Sequence, residues 1–425
     1  TLIEDNRLTD AANRYASVTV SFFPERATRL GYTSANSKLN DRSAQTTAEA
    51  LNALRSVKEI VDELKPNQLS QAKQADLQLL QDALNADIWS LEQNRIENDP
   101  LYYTEAFDAI YDVMLKKTTS ASQQKTDLAA RVGALPAVAR QAQQNLGQPP
   151  AYLAQQAMEK TYYAYLAFDE VTDFLLQNEE DDVSIAQTKR NAQNAKHAIK
   201  QLFDLFKQLS QQPDTPDFRL GQEAYLHVLA NRYQIEQKPS KLAKRLEKNF
   251  RSAQQNLAQA LEPFSLETAE EEVTVVDDLN TAPTVQELPQ EPKKKAPKAK
   301  EVPPSAQDFY QAARRMPVVP ASRNLIAALT QDANALAEFF SQDGTLPASA
   351  IHFSVKQMPA FYTYFRAYLF VPPYGNQYAP STDLFLRLPS GNKLARQEQL
   401  QRDFNVPTRK LLLSGELVPG RYYQT

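Results

Sequence analysis

The sequence predicts a mainly α-helical fold: a large antiparallel array of helices followed by a smaller α+β part. Three observations support this prediction. The chain has only 9 glycines in 425 residues, where average usage would give about 30, so tight turns are few. From Asn6 to Pro263 apolar residues recur at helical spacing almost throughout. Beyond residue 350, short alternating and aromatic runs instead indicate strands.

Two apolar stripes show the helical pattern of the first part. Their members recur every three or four residues, at Leu77, Leu80, Leu84, Ile88 and Leu91 and again at Ile199, Leu202, Phe206 and Leu209. This spacing places each set on one face of a helix, where it can pack into a core. Helix ends are predicted at 65–67, 98–100, 147–150 and 212–216, where proline stands beside turn-forming residues.

A change in composition predicts three regions. Residues 1–265 form the helical domain. Residues 266–304 lose hydrophobic periodicity and are rich first in Glu and then in Pro and Lys, which is typical of an extended linker. Its lysines could dock an anionic partner, but a solvated spacer is favoured, because charge blocks of this size usually serve as linkers. Residues 305–425 form the α+β part.

The α+β part begins with a predicted helix at 322–340. Three short strands are predicted at 351–355, 364–371 and 383–388, separated by turns that contain Pro and Gly. A helical stretch from Lys393 to Leu413, broken near Pro407, then leads into the C-terminal segment.

Composition excludes several classes of function. The formal charge is −4, from 47 basic and 51 acidic residues, so no global basic field would attract nucleic acid. The absence of cysteine excludes disulfides, thiol catalysis and thiolate metal sites. No window holds the roughly 18 apolar residues that a membrane-spanning helix needs. The sequence also lacks a Gly-x-Ser-x-Gly elbow and a Gly-rich phosphate loop.

The last residues carry a family resemblance. The segment Ser414–Gln424 reads Ser-Gly-Glu-Leu-Val-Pro-Gly-Arg-Tyr-Tyr-Gln. It resembles the His-Glu-x-x-Pro-Gly-His-x-x-Gln signature of the bacterial "domain of unknown function 885" family, usually described as zinc metallopeptidases. The matching positions are Glu416, Pro419, Gly420 and Gln424. Gly415 and Arg421 stand where the family has its two histidines. Further similar stretches, in the same order, are 23–32, 98–103, 131–150 and 217–221.

In a working member, the resemblance implies that the two histidines bind zinc and the glutamate activates water. A further acidic ligand would come from a later helix, which the 425 residues do not contain. Gly415 offers no ligand atom, and the permanent cation of Arg421 would repel Zn²⁺. We therefore expect no metal cofactor, with Glu416 as a vestigial general base that can pair with Arg421. A simple helix end, kinked at Pro419 and Gly420, fits the same residues as well as a retained pocket for a non-catalytic ligand.

Other candidate chemistry is weaker. The three histidines, His197, His227 and His352, are too far apart in sequence to form a paired helical metal site. The acidic run 179–182 is explained better by a helix N-terminus than by acid–base catalysis. Residues 23–32 are predicted to be a helix end closed by Gly31.

Two aromatic clusters are candidate walls of a peptide or glycan groove. The first contains Tyr162, Tyr163, Tyr165 and Phe168. The second contains Phe361, Tyr362, Tyr364, Phe365, Tyr368 and Phe370, of which Tyr362, Tyr364 and Tyr368 are the candidate groove residues. In the resembling family this cluster lies just before the metal helix, where an edge strand could hold an extended peptide. Core packing is the favoured interpretation of both clusters, because aromatic residues at this spacing usually pack.

The sequence therefore predicts a non-catalytic, metallopeptidase-like protein that acts as a structural or binding subunit of a bacterial cell-envelope assembly. Protein partners are expected, with a peptide as a candidate ligand, and neither nucleic acid nor a transmembrane segment is expected. The alternative is an active peptidase that uses unusual ligands, with Glu416 as general base. The chain begins at Thr1 rather than Met, which suggests a removed leader. With the family's many envelope lipoproteins, this favours a periplasmic or outer-membrane-associated location over a cytoplasmic one.

Overall fold

The computed structural model describes most of the helical part and the core of the C-terminal part. The described residues are 2–115, 118–213, 216–261, 325–342, 353–359, 362, 367–370, 382–389 and 392–417. The chain divides into two compact units, Thr1–Glu236 with Val318–Thr425, and Gln237–Pro317. The predicted linker at 266–304 and the predicted domain boundaries on either side of it lie outside the described residues, so that division stays a prediction.

The first unit begins with a series of helices. Their bounds are α1 Leu2–Phe22, α2 Pro24–Arg29, α3 Ala44–Asp62, α4 Gln71–Glu92, α5 Arg95–Asn98, α6 Pro100–Leu115, α7 Ala121–Asn145, α8 Ala151–Leu176, α9 Asp182–Ser210 and α10 Gly221–Tyr233. Short 3-10 turns lie at Thr33–Ala35 and Pro66–Gln68. The predicted mainly helical fold is confirmed, and each of the four predicted breaks falls at a junction of consecutive α-helices.

Local sequence signals set several helix ends. Ser43 and Ser120 cap α3 and α7 through side-chain oxygens that accept a backbone N–H three residues on. Asp181 caps α9 in the same way, so the acidic run 179–182 marks a helix N-terminus, as predicted. Gly31, at φ 93°, closes α2 in the left-handed conformation that glycine adopts without strain.

Two apolar clusters hold these helices together. Helices α1, α3 and α4 share one, and α6 to α9 share a larger one. Both predicted stripes belong to these clusters. In the first, Leu77, Leu80 and Leu84 are buried and Ile88 and Leu91 are partly buried, whereas Ile199, Leu202, Phe206 and Leu209 are all buried in the second.

The C-terminal part contains helices on a small mixed sheet. Its bounds are α12 Leu325–Gln342, β1 Phe353–Gln357, β2 Ala367–Phe370, β3 Thr382–Leu386, α13 Lys393–Asp403 and α14 Val406–Glu416. The strand order is β1-β3-β2, with β1 parallel and β2 antiparallel to β3. Pro407 lies in the first turn of α14, where its missing N–H is tolerated, so the predicted break falls just before it.

The central strand β3 is buried on both faces. Leu384 and Leu386 pack with α12 and α14, whereas Phe385 packs, with Met358 and Tyr362, into the cluster of α6 to α9. Successive side chains of a strand point to opposite faces, so this one strand serves two cores. The sheet thereby fixes α14 relative to the helical array.

In the second unit the structure describes residues 237–261, which contain α11, Pro239–Leu261. This helix is long, but its composition is strongly polar. None of the described helices of the chain combines the length and the apolar character needed to cross a bilayer.

Candidate functional site

The predicted motif begins in the last turn of α14. Gly415 is exposed there, and Glu416, the last residue of the helix, is partly buried. Outside the helix itself, no heavy atom of the described residues lies within 4 Å of the position that a Cβ on Gly415 would occupy. The position therefore offers no ligand atom, although it has room for a side chain. The other motif positions, Pro419, Gly420, Arg421 and Gln424, lie outside the described residues.

Helix α14 is fixed at both ends. The buried side chain of Asn405 caps its N-terminus, accepting the backbone N–H of Thr408 at 3.0 Å. At the other end, Leu413 and Leu417 are fully buried among α12 and the sheet. Because these two leucines flank Glu416 closely in sequence, the backbone at Gly415 and Glu416 is held in a defined position.

A buried ion pair joins α14 to α12. Nη2 of Arg409 lies 3.0 Å from Oδ2 of Asp332, and the two side chains are 5% and 19% exposed. The other guanidinium nitrogens, Nε and Nη1, find no hydrogen-bond partner among the described residues. A buried pair with unmade hydrogen bonds contributes little net stability. Its main effect is to set the position of α14 on α12.

The described residues do not fit a zinc site. Among them, no three His, Asp or Glu side chains are placed so that they could hold one metal ion. A zinc site needs at least three protein ligands around one ion. Among the motif residues that the structure describes, Glu416 has the one carboxylate. Gly415, directly before it, has a hydrogen atom in place of a side chain and so offers no metal ligand.

The two histidines that the structure describes lie on separate helices. His197 lies exposed on α9. His227, on α10, stacks against Trp89 of α4 with ring centroids 4.7 Å apart. An aromatic packing partner accounts for its position without a metal. His352 lies outside the described residues.

The three candidate groove residues have different placements. Tyr362 is 3% exposed, and its ring meets that of Tyr111 edge to face with centroids 5.8 Å apart. Tyr362 is thus part of the core, as the packing interpretation expects. Tyr368 lies in β2, and Tyr364 lies outside the described residues. A groove formed by these last two stays a prediction.

The first aromatic cluster, on α8, divides between core and surface. Phe168 is buried in the cluster of α6 to α9, and Tyr165 packs partly against it. Tyr162 and Tyr163 are exposed, with their rings in edge contact. Core packing explains the first two residues, and a binding role for the exposed pair stays a prediction.

Strand β2 has the backbone geometry for binding an extended peptide. It pairs with β3 on one side and is an outer strand of the described sheet. It also packs against α14, the helix that carries Gly415 and Glu416. An outer strand can present backbone N–H and C=O groups to a further strand, which is how many domains bind extended peptides.

Sequence reasoning missed a buried charged cluster around α2. Glu25 and Arg42 lie at its centre, joined by two hydrogen bonds of 3.0 Å. The backbone N–H of Asn40 donates to the same carboxylate at 2.9 Å. The guanidinium carbon of Arg42 lies 4.8 Å from the centre of the Tyr102 ring. Two parallel bonds between a guanidinium and a carboxylate form a strong, strictly oriented contact.

Arg131 of α7 makes hydrogen bonds to neutral oxygen atoms in the same region. Its guanidinium donates to the carbonyl of Ala109, to Thr28 Oγ1 at 2.5 Å and to the carbonyl of Ala35 at 3.2 Å. Burial lowers the pKa of Arg131 to about 10, although the nearby charge of Glu25 opposes the shift. This side chain ties α7 to α2, to α6 and to the turn after α2.

Two carboxylates on consecutive turns of α6 complete the cluster. Asp112 accepts a hydrogen bond of 2.9 Å from Arg29 Nε, and Asp108 accepts one of 2.6 Å from Lys160 Nζ. Burial raises the pKa of Asp108 even though Lys160 acts to lower it. For Arg29, burial acts to lower the pKa, but the Asp112 carboxylate outweighs it and the pKa is raised.

The position of these charges in the helical repeat is the signal that could have revealed the cluster. Arg131 follows the fully buried Leu128 by three residues and precedes the fully buried Leu135 by four, so it lies on a core face. A charge on a core face must be paired or hydrogen-bonded. Arg131 is held by neutral oxygen atoms, and each carboxylate pairs with a cation, although Arg131 Nε and Asp108 Oδ1 find no hydrogen-bond partner among the described residues. The cluster thereby links α2, α6, α7 and α8.

Two solved structures resemble the whole fold. One is of a putative lipoprotein of unknown function from Shewanella oneidensis, with a TM-score of 0.64 and 17% identity over 98% of this chain and 70% of that one. The second is of a putative lipoprotein from Colwellia psychrerythraea, with a TM-score of 0.66 and 11% identity over 98% of this chain and 71% of that one. At these identities the likeness establishes the fold alone. The comparison with curated proteins gave no match.

The profile of one protein family matches residues 24–425. The match therefore includes the helices from α2 onward, the sheet and α14 with the motif. This chain belongs to the family described as "Bacterial protein of unknown function (DUF885)".

Proposed function

We propose that this chain is a non-catalytic relative of zinc peptidases that acts as a binding or structural protein. The observation that carries the proposal is Gly415, placed in the last turn of α14 directly before Glu416. A ligand side chain at this position would stand on a helix that is fixed at both ends. Glycine has no side chain, so this position on the helix supplies no atom that could bind a metal ion.

The chemistry of Glu416 supports the same conclusion. A peptidase glutamate works as a base on water that a metal ion has made acidic. In the sequence, Arg421 replaces the second imidazole with a permanent cation, which would repel a dication. Without a bound metal, Glu416 has no activated water to deprotonate.

The sheet supports an extended peptide as the ligand class. Strand β2 has one hydrogen-bonding edge paired with β3 and packs against α14. A peptide added along its other edge would run beside the motif helix. Such binding needs backbone groups alone and no catalytic residue.

The similar structures support a location in the cell envelope. Both come from proteins described as putative lipoproteins. We infer a periplasmic or outer-membrane-associated subunit. Co-purification of a stable partner from an envelope fraction, lost when residues 266–304 are deleted, would support this role.

Peptide hydrolysis tests the non-catalytic part of the proposal. The full-length chain, Glu416→Gln and the matched control Glu398→Gln would be assayed on mixed peptides with and without added zinc. Glu398 is an exposed carboxylate on α13. We expect all three proteins to show background hydrolysis. Activity in the wild type and in Glu398→Gln, lost in a folded Glu416→Gln, would show an active peptidase instead.

A further inference from the structure

Helix α11 has an exposed apolar stripe. Leu246 and Phe250 are 55% and 62% exposed. Ala253 is exposed on the same side of the helix, whereas Leu242, one turn before Leu246, is buried. The sequence continues the apolar spacing of three or four residues to 257 and 261. Large apolar side chains that recur in this way indicate a surface that becomes covered by something apolar.

The polar face of α11 is strongly basic. The helix has five basic residues and one acidic residue, so its net charge is +4, whereas the whole chain carries −4. Arg251 pairs with Glu247 at 2.5 Å. The other basic residues are exposed and make no ion pair with any residue that the structure describes: Lys241, Lys244, Arg245 and Lys248.

This combination fits a lipid surface better than a protein groove. A groove on a partner would bury the apolar stripe but would leave the opposite, basic face in water with no role. On an anionic membrane both faces are used, because Leu and Phe enter the acyl boundary while long basic side chains reach the headgroups. Each Lys or Arg near such a surface strengthens binding about fivefold.

We propose that α11 binds the surface of a membrane that contains anionic phospholipid. Leu246 and Phe250 lie at the acyl boundary, and Lys244 and Lys248 face the headgroup phosphates. This inference goes beyond the proposed function and does not depend on the lost zinc ligands.

Vesicle co-sedimentation tests the proposal on the full-length chain. The probes are vesicles of phosphatidylcholine alone and of phosphatidylcholine with an equal part of phosphatidylglycerol. We expect binding to the mixed vesicles, and we expect it to fall as added salt screens the charges. Both Phe250→Gln and the double variant Lys244→Glu with Lys248→Glu should weaken binding at least about tenfold.

Matched variants on other helices control for general effects. Leu79→Gln removes a leucine that is 58% exposed on α4, and Lys189→Glu with Arg190→Glu reverses two exposed charges on α9. Both should bind as the wild type does, with unchanged circular dichroism.

Three results would overturn the proposal. The first is a wild type that stays in the supernatant with anionic vesicles at low salt. The second is an equal loss of binding in the α4 and α9 controls. The third is self-association of the chain, lost in Phe250→Gln, without any lipid binding.

Discussion

Arg42 and Glu25 form an ion pair through two hydrogen bonds, and both side chains are buried from water. Both N···O distances are 3.0 Å, and the side chains are 0% and 2% exposed. The pair joins α2 to the segment that leads into α3. Bringing two charges into a protein interior costs about as much as their attraction returns. The pair therefore fixes position more than it adds stability, and its importance should appear when one partner is removed.

Replacing Arg42 with Met should lower the free energy of unfolding by about 3–5 kcal/mol, because Glu25 is left as an unpaired buried charge. Urea unfolding would measure the change. The double variant Glu25→Gln with Arg42→Met should lose less than the sum of the single changes. The control Arg55→Met removes a surface pair with Glu92, whose side chains are 51% and 42% exposed, and should cost less than about 1 kcal/mol. Equal small losses in both arginine variants would contradict this view of the buried pair.

Because of Asp108, the free energy of unfolding should fall as the pH rises. Since burial raises its pKa in the folded chain, the folded state holds this proton more tightly than the unfolded state does. The stabilisation is fully present below the ordinary pKa of 3.8 and is lost as pH rises through the raised value. We expect the unfolding free energy of the wild type to fall relative to that of Asp108→Asn across this window.

Urea unfolding at a series of pH values would show the trend. Asp204→Asn, which removes an exposed carboxylate paired with Lys200, controls for the loss of a lysine partner at the surface. A wild type that gains stability relative to Asp108→Asn as pH rises would show that Lys160, and not burial, dominates.

Two leucines of α14 allow a matched test of how that helix is held. Leu413 is fully buried and Leu411 is 71% exposed, although they lie two residues apart. Leu413→Ala should cost about 2–5 kcal/mol, because it opens a cavity between α12 and the sheet. Leu411→Ala should change stability by less than about 0.5 kcal/mol. Similar effects from both in denaturant unfolding would mean that α14 is not packed as described.

The space beside Gly415 permits a gain-of-function test. Gly415→His with Arg421→His restores both imidazoles of the signature, and none of the described residues outside the helix crowds a Cβ at 415. We expect the double variant to bind zinc at least about tenfold more tightly than the wild type, since two ligands are added and a repelling cation is removed. Competition with a chromogenic zinc indicator would measure it. If the double variant binds zinc no more tightly than the wild type, the chain lacks further metal ligands besides these two histidines.

The helical fold could be predicted because its signals are local. The stripe at Leu77, Leu80 and Leu84 follows from spacing alone, and the caps at Ser43 and Asp181 need residues three positions away. Strand ends were less predictable. The third strand is predicted at 383–388, and β3 spans Thr382–Leu386, where it pairs with β1 and β2.

The charged cluster could not be assembled from sequence because its partners are distant. Arg42 lies 17 residues from Glu25, Arg29 lies 83 from Asp112, and Arg131 lies 103 from Thr28. The helical repeat marks Arg131 as a core residue, but it does not name the atoms that satisfy it. Tyr362 is a similar case, since its ring packs against Tyr111 of a distant helix.

The zinc content of the purified full-length chain is the most direct test of the central claim that Gly415 and Arg421 abolish the metal site. The protein would be incubated with zinc, passed through a desalting column and measured by elemental analysis, with and without a chelator. The account predicts far less than one zinc per chain and no effect of the chelator. Close to one zinc per chain, removed by the chelator together with peptide hydrolysis that depends on Glu416, would contradict it.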